Sequence, residues 1–147
     1  VIRIVAERDI SAPGDHVYRI IADYVNHHPH ILPPAFASIE VEEGGVGAGT
    51  AIRFSIKVAG RTTSFHQQIR DPELGSVLVE DDLDSDLATT FTVTPAEEGC
   101  HVGMESSWTP KGLQGLIERL FAPRTMTPIY EEELALLDRY AREHPDI

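Results

Sequence analysis

His27, His28 and His30 are the densest imidazole cluster of this 147-residue chain, and Glu80, Asp81, Asp82, Asp84 and Asp86 are its densest carboxylate run. Imidazoles bind zinc when four ligands converge at about 2.0–2.3 Å, which needs partners from a second segment. Asp23, four residues before His27, can share a helix face with it if the helix reaches that far. Three histidines flanking Pro29 suit a solvated loop at the mouth of a pocket better, so no metal site is expected. The acidic run resembles the start of a calcium loop. It lacks the glycine that should stand at Leu87 and the glutamate that should stand at Val93, and a solvated acidic hairpin is the better reading. Gly45, Gly47 and Gly49 lie in a stretch that a strand follows, whereas a phosphate cradle needs a helix there; they form a turn. Ser106 and Ser107 sit beside Trp108 without a nucleophile-elbow sequence, and Cys100 has no helix start behind it to activate a thiolate. Acid–base chemistry needs only one suitably placed group, and Tyr18, Asp23, Arg53, Gln67 and Tyr130 are the candidates. Each also has a structural explanation: packing for the tyrosines, a helix end for Asp23, the wet strand face for Arg53 and a hydrogen-bonded wall for Gln67.

The elements that must position these groups follow from periodicity. From Gly112 to about Glu143, apolar residues recur at spacings of three and four: Leu113, Leu116, Ile117, Leu120 and Phe121, then Met126, Ile129, Leu134, Leu137 and Tyr140. Such a stripe must be buried. Pro123 and Pro128 interrupt it, which predicts a helix over 111–122, a kink, and a longer helix with Thr127 as N-cap and Pro128 at its first position. On that reading Glu131, Glu132 and Glu133 lie in or near the first turn, where the helix dipole favours anions. Upstream, residues 1–10 read as a strand. Ser11-Ala12-Pro13 then starts a helix ending near Asn26, and His27 to Pro34 forms a short second helix or wound loop. Strands follow at about 37–43, 50–59, 62–71, 76–81, 88–94 and 100–109, two of them ending at Pro72 and Pro95. Alternation places Ile52, Phe54 and Ile56, Phe65, Gln67 and Ile69, Phe91 and Val93, and Val102, Met104 and Trp108 inward, with Arg53 and His66 outward.

Composition narrows the partners. A formal net charge of −12 repels phosphate backbones and anionic membranes, so no nucleic acid is expected. No window approaches the ~20 apolar residues of a membrane span. No secretory pattern opens the chain, although a segment removed before Val1 is compatible with it. One cysteine allows no intrachain disulfide, which fits a cytoplasmic protein. No repeat or linker divides the chain, so residues 1–147 are expected to form a single domain.

The order β, α, short α, six β, α, together with four local motifs, resembles the START-like or Bet v 1-like (SRPBCC) superfamily, in its bacterial polyketide cyclase/dehydrase branch. The motifs are Ile10-Ser11-Ala12-Pro13 with Val17-Tyr18, Ile21 and Asp23; Gly45-Val46-Gly47-Ala48-Gly49-Thr50; Ile69-Arg70-Asp71-Pro72; and Glu98-Gly99-Cys100-His101-Val102. The resemblance implies an α+β helix-grip fold: a seven-stranded curved antiparallel sheet wrapped around a long kinked C-terminal helix, with one or two short helices after the first strand. It also implies an elongated cavity for an apolar or aromatic molecule, lipid-like or polyketide-like. The superfamily's last helix is commonly continuous, and here two prolines interrupt it.

The expected function is therefore binding of a hydrophobic small molecule between sheet and terminal helix. The alternative is a polyketide cyclase, aromatase or dehydratase that positions its substrate and moves protons. The residues alone do not choose between binder and enzyme, and no catalytic set is assigned. The expected lining is Tyr18, Phe36, Phe54, Phe65, Gln67, Phe91, Met104, Trp108, Met126 and Tyr130. No cofactor is expected, and the chain should be a monomer or homodimer. The weak helical segment from Ala122 to Pro128 is a candidate gate over the cavity.

Overall fold

A computed structural model describes residues 1–109 and 123–147. β1 (Ile2–Ile10) leads into α1 (Gly14–Ala22) and a 3-10 turn (His28–Ile31). Six strands follow: β2 (Phe36–Glu43), β3 (Ala51–Val58), β4 (Arg61–Glu73), β5 (Val77–Asp82), β6 (Ala88–Ala96) and β7 (Gly99–Trp108). α2 (Pro123–Glu143) closes the order. The seven strands form one antiparallel sheet in the order β1-β7-β6-β5-β4-β3-β2, so every neighbour except the β1–β7 pair is joined by a local connection. Register shifts interrupt the β2–β3 pairing and the end of β4–β5, and such bulges increase local twist and bend the strand. The curved sheet with a long C-terminal helix is the helix-grip fold.

Strand alternation decides the core. Ile52, Ile56, Phe65, Gln67, Ile69, Phe91, Val93, Val102, Met104 and Trp108 are all buried, while Arg53 is exposed and pairs with Glu42 at 2.7 Å. His66 also turns outward, 2.8 Å from the same carboxylate. Two strands run further than their prolines suggest: β4 continues through Pro72 and β6 through Pro95. Pro72 falls in the register shift between Arg70 and Glu73, where a missing N–H breaks no ladder bond, and Pro95 lies at the hairpin end opposite Cys100.

The C-terminal helix differs more. α2 already includes Pro123, and Pro128 lies inside it, so Thr127 is not its N-cap. A helix-interior proline costs ~3 kcal/mol or more. Burying Met126 and Tyr130 on either side of it returns about 1.5–3 kcal/mol each. Arg124 and Pro128 are exposed, so the carbonyl that loses its partner can turn to water. Glu131, Glu132 and Glu133 consequently lie well past the first turn, and Glu133 is buried. The expected helix over 111–122 falls outside the described residues, as does the first residue of the candidate gate.

Candidate functional site

A cavity lies between the sheet and α2, lined by Tyr24, His28, Leu32, Phe36, Ile39, Ile52, Phe54, Ile56, Gln67, Glu80, Leu87, Thr89, Met104, Tyr130 and Glu133. One wall is apolar. Phe54 stacks on Phe65 at 5.4 Å and tilts against Phe36 at 5.8 Å. The enclosed space is about 30 Å³, room for one or two waters, so a larger guest must displace side chains.

The opposite wall is polar, and its first members come from the chain that leaves α1. Asp23 ends that helix, and its Oδ1 accepts the N–H groups of Val25 and Asn26 at 3.0 and 2.9 Å. The glycine-rich turn braces the same point: Tyr24 N donates to Gly45 O at 2.8 Å and Gly47 N to Ala22 O at 2.9 Å. Gly47 has a φ of +66°, and a Cβ there would lie 2.8 Å from Asp71 Oδ2, so only glycine lets the turn approach this closely. The result is a fixed stack of Tyr24 on His28, with ring centroids 4.4 Å apart and planes 14° from parallel. The edge of Phe91 meets His28 at 89°.

His28 Nδ1 lies 2.6 Å from the Ile21 carbonyl, so Nδ1–H donates there and Nε2 presents a lone pair. Burial pushes the ring down to about 4, against the opposing pull of the Ile21 carbonyl, and His28 is neutral at pH 7. Its Nε2 lies 3.9 Å from Glu80 Oε2 and 4.0 Å from Glu133 Oε2. With a neutral imidazole these are not ion pairs, and they exceed hydrogen-bond reach.

Glu80 and Glu133 are therefore two carboxyl groups in the interior without a cation beside them among the described residues. Burial pushes Glu80 up to about 7, although the Tyr24 hydroxyl donates to its Oε2 at 2.6 Å. Burial, and then repulsion from Glu80, hold Glu133 well above the usual carboxylate range. Among the described residues, Glu133 Oε1 has no hydrogen-bond partner, and neither has Gln67 Oε1 across the cavity. Beside them the Tyr130 hydroxyl, Ser106 Oγ and Thr89 Oγ1 form a hydrogen-bonded chain with 2.5 Å links. Burial raises the Tyr130 phenol further above its ordinary range, so it stays protonated.

Phe36, Phe54, Gln67, Met104 and Tyr130, named from the sequence as lining residues, stand on this cavity. Phe65, Phe91, Trp108 and Met126 are buried but are not among the described lining; Phe65 packs behind Phe54 and Phe91 against His28. Tyr18 faces another way. Its hydroxyl donates to Asp71, which also accepts Ala48 N at 2.7 Å, so Tyr18 anchors the glycine-rich turn beside an outer cleft. Asp23 caps a turn, and Arg53 stays on the wet face. The histidine cluster divides: His30 is exposed and stacks on Tyr140, His27 lies 2.9 Å from the Tyr140 hydroxyl, and His28 is 2 % exposed rather than solvated. The acidic run also divides. Glu80 is 9 % exposed, and Asp81 pairs outside with Arg70. Among the described residues, no three His, Cys, Asp or Glu side chains are placed to hold a metal ion.

Sequence reading thus missed Tyr24, His28, Glu80 and Glu133. Two of these left a trace. Glu133 falls on the stripe Met126, Tyr130, Leu134, Leu137, and Glu80 follows Leu78 at the inward spacing of two.

A curved sheet closing over its C-terminal helix, with an interior cavity, defines a helix-grip protein of the Bet v 1-like class. The chain belongs to the family described as polyketide cyclase / dehydrase and lipid transport, whose pattern matches residues 1–142. It is 30% identical over 112 residues to pathogenesis-related protein 2 of Petroselinum crispum, covering 69% of this chain and 71% of that protein. The solution structure of KanY protein superposes with a TM-score of 0.84 at 29% identity, covering 96% and 97% of the two chains. The Zhui aromatase/cyclase from a Streptomyces species shares the fold, with a TM-score of 0.74 at 15% identity over 98% and 95% of the chains. Among the described residues, no helix is long and apolar enough to cross a membrane.

Proposed function

We propose that this chain binds an apolar or aromatic small molecule, lipid-like or polyketide-like, in the cavity between sheet and α2. The observation that carries this reading is the two-sided lining: Phe36, Ile39, Ile52, Phe54, Ile56 and Met104 offer apolar surface, and a few fixed polar groups face them. The neutral fluorophore N-phenyl-1-naphthylamine tests it. Saturable fluorescence enhancement that Ile39→Trp abolishes in a folded protein supports the reading. Absence of saturation, or indifference to Ile39→Trp, overturns it.

A second reading has its own support. Glu80, poised near neutrality, lies close to a neutral imidazole and a protonated carboxyl, which is what removal of water from a β-hydroxy carbonyl requires. A base takes the α-proton, an acid protonates the departing hydroxyl, and the C–O electrons leave with it as water. Dehydration of a β-hydroxy thioester, lost in Glu80→Gln while fluorophore binding persists, would establish this activity.

A further inference from the structure

We infer that the molecule this cavity takes carries a protonated amine on an apolar body, with the ammonium group held among Glu80, Glu133, Gln67 and the Nε2 face of His28. The inference rests on the binding reading above and narrows its ligand.

The polar wall is rich in acceptors and poor in donors. His28 spends its only N–H on Ile21 O and points a lone pair inward. Among the described residues, Gln67 Oε1 is a buried acceptor with nothing to accept from, and Glu133, which holds its proton, offers one oxygen as an unpartnered acceptor beside its own O–H. The Tyr24 hydroxyl is spent on Glu80, and the Tyr130 hydroxyl belongs to the chain with Ser106 and Thr89. A buried acceptor left without a donor is destabilising, so the complementary guest brings several donors. Neutral polyols also bring donors, but two interior carboxyl groups with no cation beside them among the described residues call for positive charge as well.

Spacing separates an organic cation from a metal. Ligands around a tetrahedral zinc at about 2.1 Å lie roughly 3.4 Å apart. An ammonium nitrogen donating at about 2.8 Å to two acceptors spans roughly 4–4.6 Å. His28 Nε2 is 3.9 Å from Glu80 Oε2 and 4.0 Å from Glu133 Oε2. Both spacings exceed the zinc value and reach only the lower edge of the ammonium span, so a small inward adjustment would be needed for zinc and little for the ammonium.

Proton linkage gives the inference a signature. Glu133 is held well above the ordinary carboxylate range and Glu80 releases its proton near pH 7, so the negative charge that meets the positive guest is that of Glu80. Tyr24 and Tyr130 stay protonated and His28 neutral in this range. Below neutrality, amine binding must expel the Glu80 proton, and affinity falls toward a limit of about tenfold per pH unit.

The experiment uses 2-phenylethylamine, its neutral isostere propylbenzene and the neutral donor 2-phenylethanol, each displacing N-phenyl-1-naphthylamine from the intact chain at several pH values between about 5.5 and 8.5. The expected result is amine affinity at least about tenfold above both neutral probes at high pH, falling below neutrality, with neither neutral probe pH-dependent. Glu80→Gln should abolish the amine preference, measured as the ratio of amine to propylbenzene affinity, and its pH slope. Neutral probes that match the amine at every pH overturn the ammonium inference and leave the binding reading standing. A cavity that takes none of the three overturns both. The wild-type pH series decides the matter even if the variant does not fold.

Discussion

Glu80 and Asp81 are neighbours on β5 and live in opposite worlds. Asp81 faces outward and accepts Arg70 Nε at 2.5 Å, in solvent that screens the pair. Glu80 faces inward, has among the described residues only a neutral tyrosine hydroxyl for a hydrogen-bond partner, and is pushed up to about 7. The histidines divide in the same way. On the outer face of β7, hydrogen bonds donated by the His101 ring to Asp9 and then Glu7 raise His101 above its ordinary value, while burial drives His28 down to about 4. The outer face pairs its charges, so its groups are electrostatically settled. The interior removes water without supplying counter-charge among the described residues, so its groups are pushed toward their neutral forms and Glu80 is brought to about 7.

The largest effect expected from testing this contrast lies on the apolar part of the interior. Trp108→Ala, on the inward face of β7, should lower stability by ~3–5 kcal/mol in a denaturant titration. A shift within about 0.5 kcal/mol would show that this face is not core.

Next comes the interior carboxylate. Folded Glu80 titrates at about 7 against an ordinary 4.5. Between those values the folded protein keeps a proton that the unfolded chain has released, so this group makes stability fall as pH rises through the window. His28, at about 4 folded against 6.5 unfolded, acts oppositely, and stability rises with pH across its own window. The two largely offset each other where they overlap. Glu80→Gln should be more stable than wild type by a few kcal/mol above pH 7 and gain nothing near pH 4.5; in the variant Glu133, still held above the ordinary carboxylate range by burial, offsets the rise from His28, so its curve is nearly flat from about pH 4.5 to 6.5 where that of wild type falls. Melting temperatures across that range check it, and a variant destabilised equally at all pH values would contradict the assignment.

Tyr130→Phe is expected to do less. Ser106 and Thr89 remain paired with each other, so the loss should be about 1 kcal/mol by denaturant titration, with no change in pH profile. Smallest of all should be Arg70→Ala on the outer face. An exposed pair contributes about 0.2–1 kcal/mol, and added salt should erase even that. A loss above 2 kcal/mol would dissolve the distinction between the two faces.

Much of this was legible before any coordinates. Strand alternation placed Phe54, Gln67 and Met104 on the inner face because a pleated strand turns successive side chains to opposite sides, whatever lies further away. Spacings of three and four likewise marked Met126 as belonging to a buried stripe. The sequence also carried the acidic surface, the turn at Gly45–Gly49 and the resemblance to a ligand-binding family. Periodicity misjudged Pro128, because the cost of a broken helical bond is local whereas the burial that outweighs it is not. Nor could it join His28, Glu80 and Glu133, which come from a 3-10 turn, a mid-sheet strand and the terminal helix. Taken alone, each reads as an ordinary polar residue beside other polar residues: a histidine cluster, an acidic run, a glutamate triplet. Curvature of the sheet and the seating of α2 brought one member of each group out of water. The charge state of a carboxylate depends on what surrounds it in three dimensions, so the tertiary structure decided which of these many acidic groups became a site.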